Sequence, residues 1–189
     1  MPTQSVITEP GCDLSNRRLI NVNLSGLNLS GANFRHSCLR GASFVDANVS
    51  GADFRNANLA NAKFIRADLQ KANFKRAYLA MADLGNAYIK ETSFHRSFLT
   101  QAYFGGCNLE HAIDIINAGC DNRGYRFLAT PAGNSKRVHI FAGCRFFRDI
   151  QDAKYHWNTR HLDIPKLREQ CLEKVDYIEA EAKRLGWIN

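Results

Sequence analysis

The sequence predicts a repeat solenoid of four-sided coils, followed by a smaller unit of a hairpin and helices. Three observations carry this. A large apolar residue returns at every fifth position from 14 to 109 without slip, as in Phe54, Leu59, Phe64, Leu69 and Phe74. From Ala32 onward a small residue stands two positions before, as in Ala52, Ala57, Ala62, Ala67 and Ala72. From Asp114 onward this period stops, and ordinary strand and helix patterns begin.

A period of five matches neither the 3.6 of a helix nor the 2 of a strand. Fixed internal spacing of this kind marks stacked units. The repeat runs through twenty pentapeptides, and each central position, i, is Leu, Phe, Val or Ile. Taking every twentieth residue separates four columns. The first is Leu14, Phe34, Phe54, Phe74 and Phe94; the second is Leu19, Leu39, Leu59, Leu79 and Leu99. The third is Leu24, Phe44, Phe64, Leu84 and Phe104; the fourth is Leu29, Val49, Leu69, Ile89 and Leu109. Phenylalanine is confined to the first and third, so a period of 20 lies inside the period of five. Four sides therefore close one coil. Position i fills a square shaft, and i−2 points inward near a corner, where only a small group fits. In residues 12–31 the i−2 positions are larger: Cys12, Arg17, Val22 and Leu27. Arg17 cannot be buried unpaired in an apolar shaft, so these residues predict a looser end coil that blunts the open edge.

GANFR, GADFR, NANLA, RADLQ, KANFK and MADLG resemble the A(D/N)LXX motif of the pentapeptide repeat family, and the resemblance covers residues 12 to about 113. It implies a mainly β chain: a right-handed quadrilateral β-helix, one pentapeptide per side, with about five coils here. Backbone groups then pair between stacked coils. At a strand spacing of ~4.8 Å the rod is about 24 Å long. Some members protect or inhibit DNA gyrase by imitating the shape and charge of DNA. The positive charge of this rod disfavours that role, as does the absence of the extra loops of the gyrase-protecting members. The string RGYRF…AGCRFF…A…HW resembles a short tail on bacterial and phage pentapeptide repeat proteins.

Residues 1–11 read as an extension, 12–113 as the solenoid and 114–189 as an appendage. IDIINAGCDNRG reads as a connector. Residues 125–130 and 138–147 are rich in aromatic and β-branched types and flank the turn chemistry PAGNSKR, which predicts a β-hairpin. Residues 149–158 predict a helix. Asp163 as cap and Pro165 in the first turn predict a longer one, ended by Gly186. Its apolar stripe is Ile164, Leu167, Cys171, Val175, Ile178, Ala182 and Leu185. The appendage reads as a cap on the coil edge or as a docking module. Its long stripe predicts a homodimer through the C-terminal region.

Composition sets further bounds. With 189 residues, 45% apolar and 23% charged, the chain has the make-up of a folded protein. No run of about 18 apolar residues exists, so no membrane span or membrane partner is expected. The first residues lack the basic segment and apolar core of a secretory signal. Six scattered cysteines suit a reducing, cytoplasmic setting. The net charge is +7, and residues 12–112 hold twelve Lys/Arg against seven Asp/Glu, a balance of +5. Such a surface favours acidic partners.

Cys144 with His139, and Cys120 with His111, are the best pairs for nucleophilic chemistry. Neither sits in a catalytic motif, and lone cysteines are usually small core residues. No catalytic residue is assigned and no enzyme is expected. Cys120, Cys144, His139 and His156 lack the CxxC or HxxxH spacing of a metal site. No phosphate loop is present, and GGCN at 105–108 reads as a substitution of outward positions. No metal or cofactor is expected.

The outward positions i−1, i+1 and i+2 remain. On the first wall, Arg35, Arg55, Lys75 and His95 fill i+1, and Arg76 and Arg96 fill i+2. Like charges stacked on neighbouring coils repel, so stability does not ask for this column. It predicts an anion-binding ladder, the alternative being a solvated wall. On the second wall, Tyr78, Met81 and Phe98 predict a protein-docking patch, unless the chain's own C-terminal part covers it. The function expected is a non-enzymatic, phage-encoded protein that docks onto a cytosolic protein partner and inhibits or protects it. The alternatives are direct binding of nucleic acid or another polyanion along the basic wall, and the disfavoured DNA mimic.

Overall fold

One large and one small inward residue per pentapeptide fold the chain into stacked square turns. The computed structural model describes residues 9–109, 111–120, 126–132, 137–142, 145–159 and 164–189. They divide into two compact units, Met1–Ile113 and Asp114–Asn189. In the first, every i position but Leu19 is buried, and so is every i−2 position from Ala32 to Ser97. Polar i−2 residues are satisfied locally. Ser37 Oγ donates to the Phe34 carbonyl at 2.6 Å, and Thr92 Oγ1 to that of Leu69 at 2.7 Å.

The 20-residue period is now a hydrogen-bond pattern. Each i−1 residue forms a parallel bridge with the one twenty positions on, as in Asn33 with Asp53 and Asp53 with Asn73. Phe54 N–H donates to the Asn73 carbonyl, and Asp53 N–H to that of Ala32, both at 2.9 Å. The confinement of phenylalanine to two opposing walls follows from shaft width. Along the first wall Phe34, Phe54 and Phe74 stack at 4.8 Å with planes 1° apart. Phe44 and Phe64 stack at 4.7 Å on the third. Across the shaft, Phe54 meets Phe44 and Phe64 edge-to-face at 5.6 and 5.7 Å. Both arrangements suit the ring quadrupole.

Two outward positions have structural duties that the sequence reading left to function. At i−1, Asp or Asn closes an Asx turn. Asp53 Oδ1 accepts the Arg55 N–H at 3.0 Å, Asn73 Oδ1 that of Lys75 at 3.0 Å, and Asp83 Oδ1 that of Gly85 at 2.9 Å. At i+2 the corner takes a left-handed backbone, with φ of 56° at Asn16, 58° at Asn56 and 59° at Arg76. This is why Gly and Asn recur there, and why Arg66, Lys71, Met81 and Glu91 are unusual tenants.

The end coil differs from expectation. Arg17 is exposed and Cys12, Val22 and Leu27 are half-buried, yet the backbone stays in register, with Arg18 bridged to Cys38. The looseness is confined to side chains. The register is also not free of slips. Corner N–H groups normally donate nineteen residues ahead, as Arg76 does to His95, but Glu91 donates to the carbonyl of His111, twenty ahead. The ladder then recovers at Ser93 and Ile113.

The second unit is a four-stranded antiparallel meander: β1 Ile116–Cys120, β2 Arg126–Ala132, β3 Arg137–Ala142 and β4 Arg145–Phe147. The segment expected to be a connector is thus β1, and the expected second hairpin strand is two strands. The sequence INAGC looks like a turn, but Ile116 and Ala118 alternate into the core. Helix α1 spans Ile150–Thr159. Asp149 Oδ1 accepts the Asp152 N–H at 2.9 Å, while Asp152 Oδ2 accepts that of Arg148 at 3.1 Å, a near-reciprocal cap. Helix α2 spans Pro165–Arg184. Its cap position is Ile164, with no side-chain cap bond; Asp163 lies outside the described residues. Its end follows expectation. Gly186 has φ +69°, its N–H donates to Lys183 at 3.0 Å, and Trp187 N–H donates to Ala182 at 2.9 Å.

Leu167, Cys171, Val175, Ile178 and Ala182 of α2 share one core with Trp157 of α1 and with Phe127, Ala129, Val138 and Ile140 of the sheet. The stripe is therefore consumed inside its own unit, and only its ends, Ile164 and Leu185, are exposed. It offers no long seam to a second chain, so the reason for expecting a homodimer through it falls away. Among the described residues no helix is long and apolar enough to cross a membrane.

Candidate docking surface

The first wall is an interrupted ladder. Because i−1 and i+1 leave the wall on the same side, Arg55 folds back onto Asp53, with Nε to Oδ1 at 2.9 Å and Nη2 to Oδ2 at 2.5 Å. Arg35 reaches the same carboxylate from the coil before, Nε to Oδ2 at 3.9 Å. Burial of Asp53 would raise its pKa, but the bonds from the Arg55 guanidinium and backbone N–H outweigh it and hold the carboxyl below the ordinary 3.8. Two of the six candidate cations are thus held on an acid. Lys75 and Arg76 have no carboxylate within ion-pair range among the described residues. His95 and Arg96 are half-buried.

This pair carries a pH prediction. A carboxyl with a depressed folded pKa contributes stability that is complete above its unfolded value and lost as pH falls through the folded one. Asp53 should therefore begin to cost stability below about pH 3.8. Asp53→Asn, which keeps the turn acceptor, should show a shallower loss on acid titration of unfolding. An acid limb of unchanged steepness would contradict the pairing.

On the second wall Tyr78 and Phe98 stand at i−1 of successive coils, rings parallel within 5° and centroids 5.0 Å apart. Tyr78 is 44% exposed, and Met81, at the next corner, 56%. Tyr78 follows Arg76 by two residues, so the unpaired cation and the aromatic pair flank one corner. Sequence reasoning missed Tyr88, at i−1 of the fourth wall, and Tyr103, at i−1 of the third, exposed by 64% and 60%. The signal was available: both put an aromatic ring where the motif has Asp or Asn. In GGCN, Gly105 lies beneath the outer ring atoms of the exposed Tyr103.

The chemical alternatives gain nothing. The Cys120 side chain and Cys144 lie outside the described residues. His139 is half-buried beside Phe141 and Phe146, at 6.4 and 5.1 Å, and burial lowers its pKa. His156 lies against Phe147 at 5.2 Å. No cluster of three His, Cys, Asp or Glu that could hold a metal occurs among the described residues.

A rod of stacked square coils with patterned walls defines a solenoid of the repeat class. The family of pentapeptide repeats matches residues 11–44 and 42–80, in eight copies. Residues 11–80 thus carry pentapeptide repeats, the repeat from which right-handed β-helices are built. Among solved structures it is similar to a pentapeptide repeat protein, Rfr23, of the cyanobacterium Cyanothece 51142. That likeness has 23% identity and a TM-score of 0.48, and covers 57% of this chain and 92% of that one. It is similar to a pentapeptide repeat protein of the Arabidopsis thaliana thylakoid lumen, with 31% identity, TM-score 0.40, and 56% and 64% covered. It is also similar to QnrB1, a plasmid-mediated fluoroquinolone resistance protein, with 22% identity, TM-score 0.29, and 55% and 65% covered. Comparison with curated proteins gave no match.

Proposed function

We propose that this chain is a non-enzymatic cytoplasmic protein that docks onto a protein partner and modulates it. Its docking surface is the second wall, with the corner it shares with the first, on a solenoid of about five coils. The observation that carries this is the Tyr78–Phe98 stack with exposed Met81, set beside Lys75 and Arg76. Tyrosine, methionine and arginine are enriched at protein interfaces, and buried aromatic anchors dominate their energetics. An aromatic residue at i−1 also gives up the Asx turn, so the wall trades local stability for exposed ring area. The partner this surface suits has an apolar centre and an acidic rim.

A second reading is binding of single-stranded nucleic acid, favoured by cations and stacked rings on one corner. The DNA-mimic role is not part of the proposal, because the rod is positive. Capture from host lysate with and without nuclease separates the two readings. A protein partner stays through nuclease treatment. Tyr78→Ser with Phe98→Ser should weaken its binding by about thirtyfold or more. Lys75→Glu with Arg76→Glu should weaken it and flatten its salt dependence. Arg55 is left in place, because glutamate there would face Asp53. Loss of all captured material on nuclease treatment would overturn the protein-docking reading in favour of nucleic acid.

A further inference from the structure

The ladder between coils has one open rung among the described residues. From Asp13 to Ile113 each i−1 residue bridges its counterpart twenty positions on, except that Tyr88 does not pair with Asn108. One coil earlier on the same wall the rung is closed. Tyr88 N–H donates to the Ala67 carbonyl at 2.9 Å, and Leu69 N–H donates to the Tyr88 carbonyl at 2.8 Å. The matching groups on the next coil are the Ala87 carbonyl and the Ile89 N–H. Neither has a hydrogen-bond partner among the described residues, although Ala87 is 4% and Ile89 2% exposed. Buried backbone groups are almost always paired, so these two call for a ligand or water.

The slip described above causes the gap: the Glu91 N–H reaches His111, and Asn108 is not seated opposite Tyr88. A groove of about 480 Å³ opens there, lined among others by Gln70, Asn86, Tyr88, Lys90, Asn108 and His111. Its volume lies within the range of ligand sites. In a closed rung a single residue supplies both the N–H and the carbonyl. The open rung is therefore selective for one residue of an extended chain, which is the logic of strand addition. Charge narrows the class further. Lys90 is exposed and has no carboxylate in ion-pair range among the described residues, and it stands two residues from Tyr88, on the same outward side.

We propose that the open rung at Tyr88 binds an acidic segment of a partner protein. One residue of the segment completes the rung through its own N–H and carbonyl, and a neighbouring carboxylate meets Lys90. The site is on a different wall from Tyr78 and Phe98 and does not depend on docking there.

The test uses the full chain and three capped tripeptides, followed by amide NMR. In the free protein the Ile89 amide should exchange faster than that of Leu69, which sits in a closed rung. Acetyl-Ala-Glu-Ala-amide should shift the Ile89 and Tyr88 signals saturably. The peptide with Lys in place of Glu should bind at least about tenfold more weakly. The Glu peptide with its backbone nitrogens methylated should not bind, since its charge is kept but its donors are gone. Lys90→Glu, an exposed change that leaves the shaft intact, should reverse the preference between the Glu and Lys peptides. The proposal is overturned if the Ile89 amide is as protected as that of Leu69. It is equally overturned if the Glu peptide leaves Ile89 unmoved, or if the Glu and Lys peptides act alike.

Discussion

Phe54→Ala should lower the free energy of unfolding by about 3–5 kcal/mol. Phe54 is fully buried and stacks on Phe34 and Phe74 at 4.8 Å, with Phe44 and Phe64 edge-on across the shaft. Truncation removes four ring contacts and leaves a void. The walls cannot collapse into it, because each is held by bridges to the coils before and after. Arg55, the next residue, points outward, and its ion pair with Asp53 is part-exposed. Arg55→Ala should cost no more than about 1 kcal/mol. Chemical denaturation of both variants checks the contrast. Comparable losses would mean that the inward and outward registers have been exchanged.

Trp157→Ala should cost the second unit a similar amount, about 3–5 kcal/mol. The indole is 2% exposed and is the largest side chain in that core. It lies 6.2 Å from Phe127 of β2 and 6.3 Å from Phe147 of β4, so it joins α1 to both an inner and an edge strand. Tyr155, two residues earlier on the same helix, is 72% exposed, and Tyr155→Ala should cost under about 0.5 kcal/mol. Hydrogen exchange at β2, β3 and α2 reads the effect where it falls. If Tyr155→Ala proves the more damaging, α1 presents its other face to the sheet.

The shaft was the most legible part of the molecule, because it tolerates so little. A square cross-section filled by crossed phenyl rings admits one class of residue at i and one at i−2, and both are visible as plain periodicity. The walls were harder. An Asx turn leaves Asp53 or Asn73 facing water while its oxygen works on the backbone, so a structural residue looks like a surface one. The Arg55–Asp53 pair was hidden for the same reason: two residues apart is not an ion-pair spacing on a helix, but it is one here. The exposed tyrosines could have been found by asking where the motif loses its Asp or Asn. The open rung could not, since Asn108 fits the motif and the slip lies in the backbone path toward His111. In the second unit, β1 was hidden by Asn and Gly, whose turn preference yields to the pairing of Ile116 with Ala129.

The bridge spacing of twenty residues also governs which insertions and deletions a gene for this rod can tolerate. Losing one pentapeptide rotates everything downstream by a quarter turn. Phenylalanine columns then run into leucine columns, and the shaft is mispacked. Losing two rotates it by half a turn. Phenylalanine again sits above phenylalanine, so the core survives, but every downstream wall is carried to the opposite side of the rod. Tyr78 and Phe98 would then continue the wall of Asn28 and Asn48 rather than that of Cys38 and Asn58. Only a change of four pentapeptides restores core and walls together and alters length alone. Edits of five, ten and twenty residues are thus a structural lesion, a rewiring of surfaces and a change of reach, three distinct outcomes from one mutational event repeated.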